Sequence, residues 1–178
     1  MRAIIPNKQP KLKSIYKSSK IIFQAISSNS KETYLPILSS PDIIRYRREG
    51  YKGLHLRAIQ IGLQPLFLTG KNVTCFVAIL DTRWQTFENA LITVVEAGLN
   101  QGHIVLQVEP NFTLDLSKPS LTDAIKVLIQ LNGLTMKPDE SSLAIHHSMT
   151  YKVRTHMFSM SSFRKPITRF IAGEGRVI

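Results

Sequence analysis

Residues 143–154 read Leu143-Ala144-Ile145-His146-His147-Ser148-Met149-Thr150-Tyr151-Lys152-Val153-Arg154. Leu143, Ile145, Met149, Tyr151 and Val153 share one face of an alternating pattern, and Ser148, Thr150, Lys152 and Arg154 share the other. A period of two is that of an extended strand with one face in a core and the other in water, the habit of antiparallel sheets. His146 and His147 are neighbours, so on such a strand they point to opposite faces and cannot ligate one metal together. Each is read as a core or edge histidine.

Working back from this strand, the same period returns. Ile125, Val127, Ile129 and Leu131 alternate against Lys126 and Gln130 until Gly133. Ile104, Leu106 and Val108 alternate, Pro110-Asn111 breaks the run, and Phe112, Leu114 and Leu116 resume it. Residues 54–63 place Ile59, Ile61 and Leu63 on one face, and Pro65 ends or bends that strand. Residues 73–80 are apolar on both faces, which predicts a buried strand. Two segments depart from the theme. Pro41-Asp42 followed by Ile43, Ile44 and Tyr46 predicts a short helix ending at Gly50. Phe87, Leu91, Val94, Val95, Gly98 and Leu99 follow helical spacing and predict a second. The expected fold is all-β: an antiparallel sandwich or jelly roll with one or two short helices and a basic N-terminal arm. Residues 1–33 are expected as that arm, with a short helix around 21–26. Residues 34–154 form the core domain, and 155–178 a basic C-terminal tail.

The net charge of +11 over 178 residues lies on the flanks. Residues 1–52 carry eleven Lys and Arg against three acids, a net of +8, and residues 151–178 carry +5. The centre, residues 53–150, carries −2. Basic flanks attract polyanions through counterion release, without reading sequence. Lys8, Lys11, Lys13, Lys17 and Lys20 are interleaved with Tyr16 and Phe23, aromatics able to stack on unpaired bases. Arg45, Arg47 and Arg48 lie nearer the body. These eight cations are the candidate nucleic-acid contacts. A solubilising arm, or one that meets an acidic membrane surface, fits the same composition.

Other function classes find less support. No stretch approaches the roughly 20 apolar residues of a membrane-spanning helix, and the basic N-terminus lacks the apolar segment of a secretory signal. Cys75 is the single cysteine, so no internal disulfide can form, and a reducing cytosolic compartment is expected. The glycosylation-type triplets at Asn72 and Asn111 are read as chance. No phosphate-binding glycine loop, nucleophile elbow or zinc motif is present, so no enzymatic activity, cofactor or metal is expected. Asp81 ends an apolar strand and precedes Thr82 and Arg83; its carboxylate is expected to hold the turn by accepting backbone N–H groups.

Several of these segments together resemble one family. The run Gly50-Tyr51-Lys52-Gly53-Leu54-His55-Leu56-Arg57-Ala58-Ile59-Gln60-Ile61-Gly62-Leu63-Gln64-Pro65-Leu66 is similar to the opening of the core in the thirty-kilodalton superfamily of plant-virus movement proteins. Leu80-Asp81-Thr82-Arg83 resembles that family's aspartate signature, Asp81 and Arg83 being its carriers here. Val94-Val95-Glu96-Ala97, Pro110-Asn111-Phe112-Thr113, Leu131-Asn132-Gly133 and residues 145–152 follow in the family's order. The resemblance covers residues 34–154. It implies a jelly-roll domain related to small viral capsid proteins, and cooperative binding of single-stranded viral nucleic acid, RNA or DNA. It also implies self-association, sometimes into tubules, and transport of the genome from cell to cell through plasmodesmata. The implied partners further include host plasmodesmal or membrane-associated proteins and the viral capsid. The implied location is the host cytoplasm, cell periphery and plasmodesmata. A capsid-like structural protein that binds genome through its arm is the alternative.

Overall fold

The strand that opens the sequence reading is β9 (Leu143–Arg154), and it lies second from one edge of a six-stranded sheet. The computed structural model describes residues 33–38, 40–67, 70, 72–134, 142–157 and 166–178, and the backbone of 15–24. Its other strands are β1 (Ile15–Gln24), β2 (Thr33–Pro36), β3 (Gly53–Pro65), β4 (Thr74–Asp81), β5 (Leu91–Gly98), β6 (Ile104–Glu109), β7 (Phe112–Asp115), β8 (Ile125–Asn132), β10 (Ile167–Ala172) and β11 (Gly175–Val177). Two helices are α1 (Ser40–Arg48) and α2 (Phe87–Ala90), with a 3-10 turn at Pro119–Asp123.

Sheet A has the order β1-β9-β3-β6-β10, with β7 continuing the line of β6 beside β3; sheet B has the order β11-β5-β4-β8-β2. Along the chain, β1 to β4 alternate between the sheets, β4 leads through α2 into β5 in the same sheet, and the chain then retraces its path. The pairs are nested: β1 with β9, β2 with β8, β3 with β6 and β7, β4 with β5. A long hairpin wound up in this way is a jelly roll. Its tip is the β4–β5 connection, which carries Asp81.

The core lies between the sheets. Sheet A contributes Leu54, Leu56, Ile59, Ile61, Leu63, Ile104, Leu106, Val108, Ile145 and Met149, and sheet B contributes Cys75, Val77, Ile79, Val127 and Ile129. Burying each such aliphatic side chain contributes roughly 1.5–3 kcal/mol, which makes this two-layer contact the main source of stability. Burial also pushes the Cys75 thiol up to about 12, which leaves it a packing residue and a poor nucleophile.

β3 holds a feature that its sequence conceals. Leu56 pairs with Tyr151 and Ala58 with Thr150, so Arg57 is an extra residue in the ladder. This β-bulge shifts the inward phase from Leu54 and Leu56 to Ile59, Ile61 and Leu63, and turns both Arg57 and Ala58 outward. On the other side of β3 the neighbouring strand is interrupted at the same level. There Pro110 and Asn111 separate β6 from β7, and Asn111 takes a left-handed φ of 52°.

The structure bears out the jelly-roll sandwich, the α1 helix and the alternating strands, and it corrects two local expectations. The helix expected from Phe87 to Leu99 lasts one turn; Leu91–Gly98 is strand β5, paired with β4. Ile92, Thr93, Val94 and Val95 are β-branched and favour the pleated surface, and the open flank of β4 supplies the partner. The helix expected around 21–26 is replaced by β1, which runs antiparallel to β9 from Ile15↔Lys152 to Gln24↔Leu143. Residues on both flanks of the 34–154 segment therefore add strands: β1 to sheet A, β10 to sheet A and β11 to sheet B.

Candidate functional site

Two constellations stand out, one with its charges closed and one with its charges open. The closed one is the corner at the hairpin tip. β4 delivers Asp81 at its last position, opposite Ile125 of β8, and only 4% of the residue remains exposed. Its Oδ1 accepts from the Arg83 backbone N–H at 3.2 Å and from Arg83 Nε at 2.7 Å, while Oδ2 accepts from the second arm of the same guanidinium at 2.5 Å. Thr82 ties the turn to the start of β8: its N–H donates to Ala124 O at 2.8 Å and its hydroxyl to Asp123 O at 2.6 Å. The Arg83 guanidinium then lies 5.6 Å from the centroid of Phe112 on β7, so one side chain joins sheet B to sheet A. Both carboxylate oxygens of Asp81 and the hydroxyl of Thr82 are matched inside the molecule. The carboxylate acts as a bracket, and hydrogen bonds to a charged group contribute about 1.5–3 kcal/mol.

α1 is fastened in a comparable way. The Tyr46 and Tyr151 hydroxyls are 3.0 Å apart in the interior, and Arg45 donates to Tyr46 at 2.9 Å while pairing with Asp42 at 3.0 Å. Arg47 donates to the carbonyl oxygens of Leu116 and Lys118 and so clamps the helix to the end of β7. Arg48 is exposed and makes no ion pair among the described residues. Of the three α1 arginines named from sequence, two therefore have their guanidinium groups engaged within the fold.

The open constellation is on the outer face of sheet A. His55 on β3 lies directly opposite Lys152 on β9, and Gly53 opposite Arg154, at positions that alternate with the inward Leu54, Leu56, Tyr151 and Val153. The bulge adds Arg57 to the same face, exposed, while Lys152 and Arg154 are half-buried. Arg57, Lys152 and Arg154 make no ion pair among the described residues, whereas Asp42, Asp81, Glu96, Glu109 and Asp123 each hold a cation elsewhere. The field of these cations is felt at His55. Its ring is held below the usual imidazole value by partial burial first and then by Arg154, with smaller contributions from Arg57 and Lys152, against an opposing hydrogen bond that the ring gives to Asn111. His55 Nδ1 is hydrogen-bonded to Thr113 Oγ1 at 3.0 Å, which fixes the ring on the sheet.

Beyond the cations the same face becomes a neutral polar row. Ser148 Oγ donates to Gln60 Oε1 at 3.3 Å, Gln60 to Gln107 at 2.8 Å and Gln107 to Glu109 at 2.9 Å, and Arg169 closes the row on Glu109. Among the described residues, no group of three or more His, Cys, Asp or Glu could hold a metal ion.

A sequence model described as "Viral movement protein" matches residues 2–165. This chain belongs to the viral movement protein family. A genome polyprotein of petunia vein clearing virus (isolate Shepherd) is 23% identical over 162 residues, covering 90% of this chain and 7% of that polyprotein. A protein of apple chlorotic leaf spot virus (isolate apple) that bears the name movement protein is 26% identical over 113 residues, covering 62% of this chain and 25% of its own length. The chain thus spans a small part of the relatives it matches. Among solved structures, a turnip yellow mosaic virus chain aligns over 90% of this chain and 91% of its own, with a TM-score of 0.49 and 14% identity.

The movement-protein motifs read from sequence meet in space. His55 from the leading strand bonds Thr113 of the Pro110–Thr113 segment, and Phe112 of that segment receives Arg83 of the aspartate signature. Lys8, Lys11 and Lys13 lie outside the described residues. Lys17 and Lys20 belong to β1, at register positions opposite Thr150 and His147. Arg57, Lys152 and Arg154 are not among the sequence candidates, because Arg57 is an isolated cation in a stretch of slightly negative net charge and Lys152 and Arg154 read as the water-facing half of a strand. Register alone brings them together.

Proposed function

We propose that this movement protein binds single-stranded viral nucleic acid without reading its sequence and conveys it between plant cells through plasmodesmata. The observation that carries this reading is the family match over residues 2–165. A net charge of +11 supports it, since displaced counterions favour association with any phosphate backbone. Self-association of the jelly roll, in some members into tubules, and docking on host membrane-associated proteins or the viral capsid complete the proposed partners. The protein acts as a carrier and not as a catalyst: the strongest carboxylate arrangement, at Asp81, is engaged with Arg83.

A fluorescent fusion of the chain expressed in single leaf epidermal cells tests the reading. Paired spots across cell walls, with signal in neighbouring cells, are the expected result, and Asp81→Ala is expected to abolish both. An intact, soluble wild-type fusion confined to the expressing cell would contradict it. Closed shells in electron micrographs of the purified protein would favour the capsid-like alternative, which shares the jelly roll.

A further inference from the structure

We infer that the nucleic-acid contact of the folded body is the outer face of sheet A around the Arg57 bulge, where Arg57, Lys152 and Arg154 take the phosphate backbone of a single strand. The inference rests on the proposed nucleic-acid reading and gives it a location. Three observations lead there. First, the guanidinium groups of Arg45 and Arg47 on α1, and of Arg83 at the corner, already have partners inside the fold, so engaging a phosphate would require breaking them. Second, the sheet A cations lack acidic partners among the described residues, yet they lie close enough together to act jointly on His55. Like charges held together on a rigid sheet repel one another, and a polyanion relieves that repulsion. Third, pairing of β1 with β9 sets Ile15 opposite Lys152 and Lys17 opposite Thr150. The first residue of β1 therefore lies at the level of Lys152, at the edge of the cation face.

The chemistry of the face favours nucleic acid over a lipid surface. β3 and β9 carry none of the large exposed apolar residues; in the same sheet Ile167 and Ile171 flank Arg169 on the edge strand β10, two strands from β3, and Met157 follows the end of β9 beside Gly53. A membrane-binding face would place apolar side chains among its cations for insertion. Around the bulge the strand neighbours are Thr113, Thr150, Gln60 and Ser148, polar groups suited to sugar and phosphate, while Met157 borders the Gly53 end of the face.

The test measures binding of a labelled oligouridylate to the full chain across a salt series. Arg57→Gln/Lys152→Gln/Arg154→Gln is expected to weaken low-salt affinity by about tenfold or more, and to make the log–log salt slope shallower by about 2, since each phosphate contact to a single strand contributes about 0.7. Arg176→Gln, which removes a paired cation on sheet B, is expected to leave both nearly unchanged. If the wild type binds with strong salt dependence and the triple variant matches it, the sheet face is wrong and the functional reading stands. If the wild type fails to bind, or binds without salt dependence, that reading fails and the face with it. Loss of binding to phosphatidylserine vesicles alone, with oligouridylate binding intact, would make the face a lipid surface and overturn the inference. Should the triple variant not fold, Arg57→Gln serves alone, because Arg57 is exposed at the bulge; a slope shallower by about 0.7 supports the face and an unchanged slope contradicts it.

Discussion

The Asp81 corner and the Arg57 face both carry arginine, and the two arginines meet opposite circumstances. Arg83 is held by a buried carboxylate through both arms and lies against an aromatic ring. Arg57 protrudes from a bulge among other cations, with no acid to meet it among the described residues. A closed charge strengthens the fold and offers little to a ligand. An open one costs the fold some repulsion and can be neutralised by a polyanion. The difference separates two ways in which substitution abolishes transport: by loosening the hairpin tip, or by removing a contact from an intact jelly roll.

Substitution at the corner is the larger effect to look for. Asp81→Ala deletes the acceptor of three hydrogen bonds and leaves Arg83 without its partner. Unfolding free energy is expected to fall by about 2 kcal/mol, and Tm by about 4–8 °C for a chain of this size, read by calorimetry. Oligouridylate affinity of the folded protein should stay near wild type. An unchanged Tm combined with lost affinity would break the comparison, because Asp81 would then belong to the binding surface.

A smaller effect sharpens the comparison from the other side. Burial, followed by the Arg154 charge, holds the folded His55 ring below its unfolded value. The unfolded chain therefore binds a proton that the folded chain resists, so stability present above about pH 6.5 is lost as pH falls toward the folded value. Urea unfolding at neutral and mildly acidic pH should show a larger loss in the wild type than in His55→Gln. Equal losses would mean that the cations do not act on His55, and the open character of the face would be in question.

Much of this architecture is legible in sequence, for a physical reason. β9, β6 and β8 each keep one face in the core for their whole length, so their period of two survives undisturbed. β3 breaks phase at Arg57, and only its second half reads cleanly. β5 was obscured because its apolar residues satisfy helical spacing as well as strand pairing, and the choice is made by β4 from outside the segment. In β1 neither alternate set, Tyr16-Ser18-Lys20-Ile22 or Lys17-Ser19-Ile21-Phe23, is wholly apolar, so the strand is defined by its long ladder with β9. At the site, Asp81 could be read as a turn-holding aspartate because its partners Thr82 and Arg83 are adjacent in sequence. Arg57 and Arg154 are almost a hundred positions apart, and no local pattern announces that the β3–β9 register sets them on either side of the His55–Lys152 pair.

The central claim, that Arg47 and Arg83 hold the fold while Arg57 and Arg154 meet nucleic acid, is tested most directly by a single arginine-reactivity map. Phenylglyoxal modification followed by mass spectrometry, with and without oligouridylate, reads all of these side chains in one sample. Arg47 and Arg83 are expected to react slowly in both states, whereas Arg57 and Arg154 react quickly in the free protein and are protected by the oligonucleotide. Protection of Arg83 by ligand, with Arg57 and Arg154 equally reactive in both states, would contradict the claim and move the binding site to the Asp81 corner.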